Sequence, residues 1–96
     1  MPLQVVATIT AKFGSEETIS DLLSELVAAT RTESGCLAYE LFRSAAEQRV
    51  FVTIETWQGQ EDLDAHMQSP HVQQAFAAAG DHLAGAPVIH PLEAIV

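Results

Sequence analysis

From Leu3 to Phe13 the chain alternates without a break. Leu3, Val5, Ala7, Ile9, Ala11 and Phe13 share one parity, and Gln4, Val6, Thr8, Thr10 and Lys12 share the other. Successive side chains of a strand point to opposite faces, so this period of two predicts a β-strand with one apolar face running from Leu3 to Phe13. After Gly14-Ser15 the period changes. Ile19, Leu22, Leu23, Leu26, Val27 and Thr30 recur as one stripe of an amphipathic helix. Ser15 stands at its N-cap, Glu16 and Glu17 fill the first turn where the helix dipole favours acids, and Gly35 is the expected left-handed C-cap. A one-faced strand feeding a one-faced helix commits the chain to a layered α+β domain.

A second strand is expected from Cys36 to Ser44 and a third from Arg49 to Trp57, joined by the polar segment 45–48. Val50-Phe51-Val52-Thr53-Ile54 is apolar on both parities, which predicts cover on both faces. Gly59-Gln60 opens a short helix carrying Leu63, His66 and Met67. Ser69-Pro70 places a cap and a first-turn proline before the next helix, which carries Val72, Ala75, Phe76, Ala79 and Leu83 and stops near Gly85. The last strand reads as Pro87–His90 and Leu92–Val96, with Pro91 marking an edge or a bulge. The order β-α-β-β-α-α-β predicts a ferredoxin-like βαββαβ fold: a four-stranded antiparallel sheet with its helices on one face, in a single domain spanning residues 1–96. Val6, Val50, Val52 and Ile54 then fall on the other face. Their natural cover is a second copy, so the expected assembly is a homodimer through the sheet faces, a dimeric α/β barrel.

Four Lys and Arg against thirteen Asp and Glu give a net charge of −9. That sign repels phosphate backbones and anionic headgroups, so neither nucleic acid nor membrane is an expected partner. No apolar run approaches the about 20 residues of a span, and Met1–Val6 has no basic, apolar leader pattern, so a cytoplasmic location is expected. The single Cys36 excludes an intrachain disulfide and a Cys-rich zinc site. There is no phosphate-binding loop, dinucleotide fingerprint, serine elbow or H-E-x-x-H, so no cofactor is expected.

Among the residues able to do chemistry, His66 shares a helix with the core positions Leu63 and Met67. An imidazole so placed beside a pocket is a candidate acid/base, and His71 is a weaker second. Their five-residue spacing across Ser69-Pro70 does not set two ligands on one helix face, and no third ligand is evident nearby, which argues against a metal. Phe51, Thr53, Glu55 and Trp57 share one parity of the third strand. Trp57 is first a core anchor and second a wall for an aromatic substrate. Glu55 among apolar neighbours calls for a partner, with Arg43 or Arg49 the first choice. Tyr39 is expected to pack its ring and expose its hydroxyl, where it can touch substrate. Cys36 reads as a small buried hydrophobe.

The run Glu33-Ser34-Gly35-Cys36-Leu37-Ala38-Tyr39-Glu40-Leu41, followed by Glu55-Thr56-Trp57, Leu63-Asp64-Ala65-His66 and Ser69-Pro70-His71, resembles the antibiotic biosynthesis monooxygenase family, and within it the small quinol-monooxygenase-like members. The resemblance implies a dimeric ferredoxin-like protein. It implies oxidation of a quinol or related aromatic small molecule by molecular oxygen, with no metal or flavin, inside a dry pocket supplied with a base. Against the pattern of polyketide-oxidising members, Trp57 matches a site tryptophan, while Thr53 and Leu63 stand where an Asn and a Tyr line the site. Against haem-degrading members, Ala7, His66 and Phe76 replace the haem-site residues. The resemblance leaves two alternatives: a non-catalytic small-molecule-binding or stress-linked dimeric module, and an isomerase of a phosphorylated signalling molecule, for which Lys12, Arg43 or Arg49 would supply the phosphate contacts.

Overall fold

The computed structural model describes residues 2–96. Strand β1 (Leu3–Thr10) leads to helix α1 (Glu16–Thr30), strands β2 (Cys36–Arg43) and β3 (Val50–Trp57), helices α2 (Gln60–Met67) and α3 (Pro70–Ala79), a short 3₁₀ turn (Gly80–His82) and strand β4 (Val88–Leu92). The four strands form one antiparallel sheet in the order β2-β3-β1-β4, the ferredoxin-like arrangement expected. No helix among the described residues is long and apolar enough to cross a membrane.

The parity of β1 and β3 sorts the two faces. Val5, Ala7 and Ile9 of β1 and Phe51, Thr53, Glu55 and Trp57 of β3 are buried beneath the helices. Helix α1 covers them with Ile19, Leu23, Leu26 and Val27, and α3 adds Val72 and Ala79. The other face has no cover among the described residues. Val6, Val50 and Val52 are half-buried there and Ile54 is 47% exposed, with Phe42, Val88 and Leu92 similarly open. The register aligns Phe42, Val52, Thr8 and Val88 in one row across all four strands. Pro91 sits on β4 at the sheet edge, opposite Val5, where its missing N–H leaves no interior ladder bond unmade.

Several local expectations are corrected. The alternation ends early: β1 stops at Thr10, and Phe13 is 82% exposed, with the Arg49 guanidinium 4.0 Å above its ring. The sharp turn that follows needs Gly14 at φ +86°, a left-handed conformation costly for other residues. Ser15 occupies the N-cap of α1 without capping it, because its hydroxyl meets His82 Nδ1 at 3.0 Å instead. Gly35 is no left-handed cap, since α1 already ends at Thr30 and Gly14 holds the only positive φ among the described residues. Its reason for being glycine is close approach: a Cβ there would overlap the Asp62 side chain on α2. Helix α3 ends at Ala79 rather than near Gly85, and the last strand is one segment, Val88–Leu92, leaving Glu93–Val96 outside the sheet.

Candidate active site

Helix α2 ends where α3 begins, and Ser69 joins them. Its hydroxyl donates to the His66 carbonyl at 2.7 Å and accepts the Val72 N–H at 3.4 Å, so one residue closes the first helix and caps the second. This corner turns His66 and His71 toward a common point despite the break between their helices. The point is Glu33, in the loop after α1. Its Oε2 lies 2.7 Å from His66 Nδ1 and 2.7 Å from His71 Nε2. An ionised carboxylate oxygen only accepts, so both ring nitrogens donate to it. In a neutral His66 this fixes the proton on Nδ1 and leaves Nε2 as the lone-pair nitrogen of a ring that lines a cavity. The spacing argument against a third ligand is thereby corrected, because the fold brings in a carboxylate from more than thirty residues away.

His66 is buried, 4% exposed, and its ring packs in a mutual cluster with two aromatics: the Trp57 centroid lies 4.7 Å away, the Tyr39 centroid 5.6 Å, and those two rings meet each other edge-on at 6.3 Å. Glu55, also 4% exposed, has no cationic partner among the described residues. Its two oxygens accept the Thr53 hydroxyl at 2.7 Å and the Trp57 indole N–H at 2.9 Å, from residues one step either side on the same strand face. The expected salt bridge is overturned because the arginines lie elsewhere: Arg43 pairs with Glu17 and Arg49 with Glu47. Tyr39 faces Glu55 across the β2–β3 ladder and is buried, so its hydroxyl is not the exposed group expected. Burial first, and then the Glu55 charge, push its phenol well above the ordinary value of 10. Cys36 is partly buried, and burial together with Glu33 and Glu55 raises its thiol, the opposite of what a reactive cysteine needs.

Tyr39, Thr53, Glu55 and His66 form the polar part of a cavity between sheet and helices, whose lining is otherwise apolar and includes Met67, Phe76, Pro87 and Ile89. It measures about 20 Å³, room for a single water by the ordinary requirement for holding one. Phe51 and Trp57 are buried beside this chamber without lining it, and His71 opens instead onto a groove between α1 and α3. Lys12, Arg43 and Arg49 do not line the cavity. His82 is tied to Ser15, and His90 is exposed on β4. Sequence reasoning placed Tyr39, Thr53, Glu55 and His66 together and missed Glu33. The signal for it was the family-like run that begins at Glu33.

The profile of the family described as antibiotic biosynthesis monooxygenase matches residues 2–78. Rv0793 from Mycobacterium tuberculosis is 30% identical over 82 residues, covering 85% of this chain and 80% of that protein. A Synechocystis protein, sll1783, is 28% identical over 83 residues, covering 86% of this chain but 56% of its own length; the chain thus spans little more than half of that relative. Among solved structures, PA3566 from Pseudomonas aeruginosa superposes with a TM-score of 0.91 at 32% identity, covering 99% and 95% of the two chains. A structure described as an antibiotic biosynthesis monooxygenase gives 0.91 at 30% identity, covering 98% and 99%.

Proposed function

The chain belongs to the antibiotic biosynthesis monooxygenase family, and from that premise we propose that it is a cofactor-independent monooxygenase of a quinol or related aromatic small molecule, acting as a cytoplasmic homodimer joined through its sheet faces. The observation that carries the reading is His66: buried, packed against Trp57 with tilted rings, held at Nδ1 by Glu33, and lining the cavity. Its Nε2 is a pre-oriented base. It takes the phenolic proton, and the resulting anion is electron-rich enough to pass one electron to oxygen. The two radicals join in a new C–O bond, and the hydroperoxide loses water as its O–O bond breaks. A hydroquinone and one O₂ thus give a hydroxyquinone and one water. Thr53, Glu55 and Tyr39 orient the ring, Phe51 and Trp57 hold the wall from behind, and His71 steadies Glu33 from its second side.

A ring needs far more room than one water, so Phe76 and Met67, both half-buried, must swing aside on binding. The experiment is oxygen uptake with a hydroquinone or naphthoquinol, using protein stripped of metal and flavin. Uptake above autoxidation supports the reading, and loss of about 10²-fold or more in His66→Ala assigns the base. His90→Ala should turn over like wild type. Activity that tracks stoichiometric flavin or haem, or that vanishes with chelator, overturns it. The small volume of the cavity favours one second reading, a non-catalytic binding module. Thermal shifts with quinones or flavonoids but no uptake would select it.

A further inference from the structure

We propose that Glu33, His66 and His71 form a binding site for a divalent first-row transition ion of the Zn²⁺ type, and that an ion there converts His66 from a proton acceptor into a donor. One carboxylate oxygen and two imidazole nitrogens, from a loop and two helices, all lie within 4.8 Å of one another. Zinc holds such ligands at about 2.0–2.2 Å, which sets them about 3.3 Å apart in a tetrahedral shell, so Glu33 Oε2 must draw back from its two 2.7 Å contacts to admit the ion. Glu33 and His71 are half-buried and free to make that adjustment, while His66 is fixed by its aromatic neighbours. Two imidazoles with one carboxylate suit zinc and its neighbours, whereas Mg²⁺ and Ca²⁺ prefer all-oxygen shells. The groove beside His71, between α1 and α3, supplies an entry path, and the net charge of −9 draws cations to the surface.

The switch follows from ring chemistry. Without an ion, Nδ1 carries the proton toward Glu33 and Nε2 is the free lone pair. An ion takes the Nδ1 lone pair, so a neutral ring must carry its proton on Nε2. A donor there cannot accept the phenolic proton. The switch therefore rests on the function proposed above, whereas ion binding does not.

Metal-stripped protein titrated with Zn²⁺ by calorimetry should bind one ion per chain, undisturbed by millimolar Mg²⁺. Glu33→Gln and His71→Ala should each weaken binding by at least about 10-fold, the loss typical even of outer ligand partners, and His90→Ala should bind like wild type. Absence of binding, or equal binding in all variants, overturns the site and leaves a hydrogen-bonded Glu–His–His relay alone. Nitrogen-15 spectra of His66 should show the proton moving from Nδ1 to Nε2 on zinc addition, and an unmoved proton overturns the switch. In oxygen uptake, zinc should suppress turnover, chelator should restore it, and His71→Ala should need at least ten times more zinc. Turnover unaffected by bound zinc also overturns the switch. A protein that binds zinc with the proton shift but shows no uptake at all refutes the oxygenase reading and leaves this one standing.

Discussion

The Trp57 indole donates to Glu55 at 2.9 Å, so the largest buried side chain of the sheet and its one buried carboxylate hold each other on a single strand face. With Thr53 on the other oxygen, the carboxylate replaces lost water with two donors and no cation. Glu55→Ala leaves both donors buried and unmet, each costing about 1–3 kcal/mol. Urea unfolding should show a lower midpoint with an unchanged slope. A more stable Glu55→Ala would mean that desolvation of the carboxylate outweighs its two partners.

Gly35 and Asp62 predict a coupled pair. Gly35→Ala drives a methyl into Asp62 close to the α2 backbone, so the helix itself must yield, at a cost of about 1–3 kcal/mol. Gly35→Ala combined with Asp62→Gly should recover most of that loss in a double-mutant cycle. Additive losses would show that the contact is not the cause.

Tyr39 predicts the alkaline limb of stability. Its phenol is raised above the ordinary value of 10 by burial and by Glu55, so the folded chain keeps a proton that the unfolded chain releases. That contribution is complete below pH 10 and falls as pH rises toward the folded value. Between pH 9 and 11.5, wild-type stability should fall more steeply than that of Tyr39→Phe. Parallel curves would sink this account.

The uncovered sheet face predicts the assembly. Light scattering at micromolar concentration should give a dimer for wild type and a monomer for Ile54→Lys, which puts a charge into the apolar face beside Val6 and Val52. A wild-type monomer that unfolds cooperatively would refute sheet-to-sheet pairing.

The two periodicities made the sheet and α1 legible, because Val5, Ile9, Leu23 and Leu26 obey a spacing that needs no long-range information. Element ends were less so. Phe13 continued the pattern in sequence, but Gly14 turns the backbone away, and the ring is left over the surface with Arg49. At the site, Thr53, Glu55 and Trp57 were placed together by strand parity, while the partner of Glu55 was misjudged. A carboxylate satisfied by its own strand leaves no charge pattern to read. Glu33 was invisible as a partner of His66 because the loop geometry that joins them exists only once α1 and the α2–α3 corner are docked.

The sheet order also sets a schedule for synthesis. β1 is an interior strand, yet its two neighbours end at Trp57 and Leu92. On a ribosome adding about 5–20 residues per second, the first-made strand waits roughly 2–9 seconds for β3 and longer for β4. Through that interval both backbone edges of Leu3–Thr10 lack their native partners, in a segment rich in Val, Ile and Thr. The nascent chain is therefore most open to wrong strand pairing before it has made any of α2, α3 or β4.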